Sequence, residues 1–330
     1  MIVFKKTILA FAFVLSIFSC SKDNETVSNP SDSASPAHRV AALSATPKKF
    51  LFDASKAENA GNADWIISEN SSGTPLRFPS PSITGVTATT PETYWQGGLS
   101  SWGIALAKQG HSVESIVPGG SITYGSTTNA QDLSKYDVFV VDEPNTLFTA
   151  AQKTAIVNFV KNGGGLFMIA DHNVSDRNND GKDSPAIWND LFSNNGVQAN
   201  PFGLTVELTN ISETSSNVLV DPTNTILNGS EGVVSKLKFS NGATIKLNTT
   251  ANATAKGLFW QTGVAKTSTT KVMCASATYY AGRVVLLTDS SPADDGTGNP
   301  SDSLYFGWTD LTGNHSRLHL NASYWLAKLQ

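Results

Sequence analysis

YDVFVVDEPNTLFTAAQKTAIVNFVKNGGGLFMIADH, residues 136–172, is the stretch that decides how this chain folds. Tyr136 to Val141 holds five apolar or aromatic residues in six, the pattern of a strand buried on both faces. Thr149 then caps a helix running to Lys161, with Ile156, Phe159 and Val160 on its inner face. Asn162-Gly163-Gly164-Gly165 stops that helix, and Leu166 to Ala170 starts the next buried strand. Strand, helix, strand in this order predicts a parallel pair joined by a right-handed crossover. The same grammar extends outward. Lys49 to Asp53, His111 to Val117 and Gly282 to Thr288 read as strands. Gly98 to Gln109, with Gly110 as its C-cap, and Ser316 to Leu329 read as helices. Residues 203–280 differ: short Thr- and Asn-rich runs between Gly turns predict hairpins added to the sheet.

The whole chain has 330 residues, 23 Lys+Arg against 27 Asp+Glu, and 40% hydrophobic residues. A large core is within reach, global disorder is excluded, and no basic face offers itself to nucleic acid. Two cysteines make neither a disulfide scaffold nor a Cys-rich zinc site. The first is part of an address. Lys5 and Lys6 precede an apolar run, Ile8 to Phe18, that is too short to span a bilayer comfortably. Ile17-Phe18-Ser19-Cys20 resembles a bacterial lipoprotein box, so residues 1–19 are expected to be a signal peptide and Cys20 the lipidated membrane anchor. Ser21-Lys22-Asp23-Asn24-Glu25 points to an outer-membrane lipoprotein displayed at the cell surface. Residues 20–47, rich in Ser, Asn, Pro and Ala, read as a flexible tether, leaving 48–330 as the folded domain.

With "DPTNTILNG" (221–229) and "GRVVLLTDSS" (282–291), the opening stretch resembles the class I glutamine-amidotransferase-like fold. More narrowly it is similar to the non-amidotransferase branch containing trehalose-utilisation-type and gliding-associated proteins. The resemblance covers roughly 48–330 and rests on structural turns. It implies an α/β fold: a flavodoxin-like, mostly parallel sheet flanked by helices, with the β-rich insertion around 203–280. It does not imply glutaminase activity. Cys274 lies in the apolar run Val272-Met273-Cys274-Ala275, and no His-x-Glu pair follows it.

In open α/β sheets ligands bind outside the carboxyl ends of the strands. Here those ends are loaded with polar groups: Asp53, Asn62 and Asp64 after the first strand; Asp142-Glu143-Pro144-Asn145; Asp171-His172-Asn173; and Asp289-Ser290-Ser291-Pro292-Ala293-Asp294-Asp295. His172 is the acid/base candidate, because imidazole titrates near neutral pH and the flanking carboxylate fixes its tautomer. Asp53, Glu143 and Asp289 are candidate metal-binding or charged catalytic groups, Asp295 is a further catalytic candidate, and two carboxyls would suit glycoside cleavage. Ser290 or Ser291 is a candidate nucleophile or oxyanion contact, although no Gly-x-Ser-x-Gly elbow is present. Asn62, Asp64, Trp95, Asp294, Trp308 and His315 are candidate substrate contacts, the aromatic ones by stacking on sugar rings. Asp176-Arg177-Asn178-Asn179-Asp180-Gly181-Lys182-Asp183 matches the first half of a calcium loop, with Asp176, Asn178, Asp180 and Asp183 as ligands. Ile187 stands where an EF-hand needs its bidentate Glu, so this is no EF-hand. The expectation is a surface-anchored hydrolase, acting on a carbohydrate or related polymer, with a calcium site. The alternatives are a non-catalytic glycan- or partner-binding lipoprotein and a Ser-type esterase.

Overall fold

Five strands lie parallel at the centre of the molecule: β1 (Lys49–Asp53), β2 (Ser112–Ile116), β3 (Val138–Asp142), β4 (Gly165–Ile169) and, far along the chain, β11 (Gly282–Leu287). The computed structural model describes residues 46–298 and 305–330; the signal segment, Cys20 and nearly all of the tether lie outside the described residues. Between β4 and β11 the chain inserts β5 (Leu204–Ser215), β6 (Asn228–Gly229), β7 (Gly232–Val233), β8 (Leu237–Leu247), β9 (Lys256–Trp260) and β10 (Val272–Tyr279). The nine-stranded sheet runs β2-β1-β3-β4-β11-β10-β8-β5, with β9 paired to β10 and β6-β7 a separate small ribbon. The insertion pairs antiparallel, so the expected hairpins do extend the sheet, as long strands of twelve and eleven residues in β5 and β8 rather than short runs.

The helices α1 (Ser100–Lys108), α2 (Ala150–Lys161), α3 (Ser184–Ser193) and α4 (His315–Leu326) cover both faces. Strand alternation decides which. Phe50, Phe52, Val138, Val140, Phe167 and Ile169 face one core with Trp102 of α1 and Leu318 of α4. Leu51, Phe139, Val141, Leu166 and Met168 face the other, with Ile156 of α2 and Trp188 of α3. The helix α2 begins where Thr149 and Gln152 form a reciprocal capping box. Its end turns on Gly163, at φ 113, and β11 enters beside it through Gly282, where a Cβ would lie 1.9 Å from the Val160 carbonyl.

The helix α3 falls in a stretch whose sequence reads as irregular. Its signals are nonetheless local: Asp183 as N-cap, Pro185 in the first turn, and Ile187, Trp188, Leu191 and Phe192 spaced for one buried face. Cys274 is fully buried on β10, and burial pushes its thiol pKa up, so it is placed for packing and not as a nucleophile.

Candidate functional site

The strand order β2-β1-β3-β4-β11 reverses direction between β1 and β3, and the polar exits converge around that switch point. Their centre is Arg177. Its Nε donates to Glu143 Oε1 at 2.7 Å, its Nη2 to Asp171 Oδ2 at 2.8 Å, and its Nη1 to Asn62 Oδ1 at 2.8 Å. One guanidinium thus ties the exits of β1, β3 and β4 together, which its planar fork of donors suits.

Glu143 is fully buried and adopts φ 40, a conformation that is strained for any residue other than glycine. Its neighbours hold it there: Trp65 Nε1 and the Ser290 hydroxyl donate to Oε2 at 2.6 and 2.8 Å, and Asn145 Nδ2 donates to its carbonyl. Burial and the nearby Asp171 charge push its pKa up to about 8, against the pull of Arg177 and Ser290. Asp171 Oδ2 also receives His172 Nδ1 at 2.9 Å. Burial works to lower the His172 pKa, but the hydrogen bond and charge of Asp171 outweigh it, and the net shift is upward. The imidazole is part exposed, and its Nε2 has no hydrogen-bond partner among the described residues.

The loop expected to hold calcium, residues 176–183, delivers Arg177. Asp176 accepts the backbone N–H groups of Asp180 and Gly181; Asn178 accepts that of Asp180, and Asp180 that of Lys182. Asn145 Oδ1 accepts the Arg177 N–H, and Asn178 Nδ2 donates to the Asn145 carbonyl. Asp183 caps α3 through Ala186 and holds Val174, a β-branched residue at φ 66, by its N–H. Among the described residues no group of three or more His, Cys, Asp or Glu side chains is placed to hold a metal ion.

At the exit of β11 the acids turn inward. Asp289 accepts the N–H groups of Ser240 and Ser291 and the Ser291 hydroxyl. Ser290 donates its hydroxyl proton to Glu143 and Ser291 to Asp289, so neither hydroxyl donates to a histidine. Asp295 Oδ2 accepts the Ser101 N–H and caps α1, whose own N-cap, Leu99, brings no side-chain acceptor. Asp294 accepts the N–H groups of Gly296 and Tyr305. Asp53 accepts the Ser55 N–H and hydroxyl.

The remaining expected contacts are mostly interior. Trp95 is 1% exposed and donates to the Pro81 carbonyl; Trp308 is buried, donates to Glu92 and stacks on Trp102. Asp64 is buried against Gly98, whose N–H its carbonyl accepts. His315 is buried with Nδ1 on the Gly307 carbonyl, and Nε2 accepts the Lys238 N–H, which fixes a neutral ring. It lines a cavity of about 410 Å³ together with Ser240, Ser291, Tyr305, Phe306 and the Lys238–Asp310 ion pair. Tyr305 connects this cavity to the arginine cluster: burial raises its phenol pKa, and the charges of Arg177, Asp171, Asp289 and Glu143 all act on it.

Asp142 is buried, neither carboxyl oxygen has a hydrogen-bond partner among the described residues, and burial with the charges of Glu143, Asp171, Asp289 and Asp294 holds its pKa well above the usual range.

No family model matches the sequence, and no curated protein matches it. Solved structures do. The mmIFT52 N-terminal domain aligns over 84% of this chain and 97% of its own, with a TM-score of 0.50 and 13% identity. A ThuA-like protein from Parabacteroides merdae aligns over 86% of this chain and 91% of its own, with a TM-score of 0.44 and 13% identity. The cytoplasmic protein STM3548 from Salmonella typhimurium aligns over 84% of this chain and 98% of its own, with a TM-score of 0.41 and 14% identity. At such identities the likeness is one of fold: a mixed, mostly parallel sheet between helices, with ThuA-like proteins among its neighbours.

Proposed function

We propose that this chain is a hydrolase acting on a carbohydrate at the carboxyl edge of the sheet, with His172 as the proton-transfer group. The observation that carries the reading is the Asp171–His172 pair, a part-exposed imidazole whose orienting carboxylate is itself held by Arg177. With Nδ1 bound to Asp171, Nε2 is the nitrogen that exchanges a proton with a leaving oxygen. The upward shift of the ring favours the imidazolium, hence the acid role, near neutral pH. The adjoining cavity supports a sugar as ligand. Tyr305 and the exposed Phe306 offer ring faces, while Lys238, Asp310, Ser240 and Thr309 offer hydroxyl partners.

The test is turnover of a panel of oligosaccharides and aryl glycosides. His172→Ala is expected to lower kcat by about 10²–10⁴-fold, and Phe306→Ala to raise KM. An unchanged kcat in His172→Ala on a substrate that wild type cleaves rejects the assignment. The full burial of Glu143 and Asp289 favours a second reading, a glycan-binding protein without catalysis. Sugar binding with no turnover by wild type selects it.

Anchoring at the outer-membrane surface through Cys20 is part of the same proposal and rests on the lipoprotein-box resemblance; loss of lipid labelling in Cys20→Ala tests it. Calcium in the 176–183 loop rests on ligand spacing. A melting temperature that falls with EDTA in wild type, and not in Asp180→Ala, supports it.

A further inference from the structure

Asp53 ends β1, and Glu58 lies in the loop that leaves it; they are 1% and 0% exposed. Their side chains are hydrogen-bonded to each other. Asp53 Oδ1 is occupied by the Ser55 N–H and hydroxyl, and Glu58 Oε2 by the Lys56 N–H. The other two oxygens, Asp53 Oδ2 and Glu58 Oε1, are buried and receive no N–H or hydroxyl donor among the described residues. Two carboxyl groups bond each other only when one carries a proton, because two carboxylates in contact repel.

The surroundings agree with a single proton and a single negative charge. Lys56 is a cation that faces both acids. Its Nζ donates to Gln152 of α2 and lies over the Phe148 ring. From the β3 exit, the Asn145 N–H meets the Lys56 carbonyl, and the titratable Glu143 meets the far end of the loop by accepting Trp65 Nε1. Gln152, Phe148 and Asn145 are all uncharged.

What the pair fastens is the loop over the candidate site. The Glu58 carbonyl accepts the Trp65 N–H, Trp65 Nε1 donates to Glu143, and Asn62 accepts from Arg177. Gly61 packs so closely that a Cβ there would sit 2.8 Å from the Arg177 carbonyl.

We infer that Asp53 and Glu58 share one proton, and that this proton holds the 54–65 loop in place over Arg177 and Glu143, making Glu58 a positioning residue. The inference stands apart from the hydrolase reading, since it concerns loop order and not turnover. Burial raises both carboxyl pKa values, Glu58 well above its ordinary value. The stabilisation is therefore fully present below the ordinary carboxyl range and is lost as pH rises through the raised values.

The test is hydrogen exchange of the full chain by mass spectrometry from pH 6 to 10, corrected for intrinsic rates. Wild type is expected to lose protection in 54–65 as pH rises while α2 keeps its own. Glu58→Gln supplies a non-titrating N–H donor to Asp53 and is expected to keep 54–65 protected throughout. Asp53→Asn reverses the donor and is expected to do the same. A wild-type loop with no pH dependence, or variants with the wild-type dependence, overturns the inference.

Discussion

The exits of β3 and β4 and the exit of β11 carry the same kinds of residues and use them in opposite ways. Around Arg177, Glu143 and Asp171 share one cation, and a part-exposed histidine completes the group. After β11, Asp289, Asp294 and Asp295 accept backbone N–H groups and shape the turn, the loop and the start of α1. An acid after a strand is thus not a sign of chemistry by itself. What separates the two exits is a cation, Arg177 of the β4 exit loop, and a titrating group that reaches the surface.

The largest expected effect comes from removing that cation. Arg177→Ala strips Glu143 and Asp171 of their donors and leaves buried charge without its counter-ion, and is expected to destabilise by about 3–5 kcal/mol, measured by urea unfolding. Arg177→Lys restores little, because an ammonium does not span Glu143, Asp171 and Asn62. A loss under about 1 kcal/mol in Arg177→Ala breaks the comparison, since the first exit would then be no more than a surface ion pair.

At the β11 exit, Asp289→Asn turns one acceptor into a donor facing the Ser240 or Ser291 N–H. The expected loss is about 1–3 kcal/mol, with no change in the His172 titration. Asp183→Ala removes the α3 cap, and a loss of about 1 kcal/mol is expected. A loss of that size that does not change with added calcium fits a cap alone; a larger loss in calcium than in EDTA restores Asp183 as a ligand.

The smallest effect, and the sharpest, is electrostatic. By NMR the His172 imidazole is expected to titrate above 6.5 in wild type and lower in Asp171→Asn. Because the folded pKa is the higher one, the pair's stabilisation is full below the unfolded value and is lost as pH rises through the folded value. His172 pKa values that agree in the two proteins would remove the Asp171 contact from the site.

Much of the fold was legible. Thr149, Gly163 and the apolar runs of β3 and β4 bounded α2 to the residue, because capping and buried-strand patterns are local. The carboxyl edge was legible for the same reason: Glu143, His172 and Asp171 follow strands that read clearly. Arg177 was hidden inside a run that matched a calcium loop, since an Asx-rich turn and a calcium loop use the same oxygens in the same order. The sequence offers Asp183 as a calcium ligand without revealing that the same carboxylate caps the first turn of α3. Composition does not tell a ring that faces a ligand, as expected of Trp95 and Trp308, from a ring buried in the core.

By itself the sequence determined the alternation of strands and helices, the face each residue presents, and the edge to which the polar loops are delivered. These follow from periodicity and from backbone conformations that only certain residues adopt. The tertiary structure decided which acids meet a cation, which cap a helix and which, like Asp53 and Glu58, meet one another. Those outcomes depend on distances between loops far apart in the chain, and a carboxylate's charge and protonation state are set by what lies within a few ångströms of it.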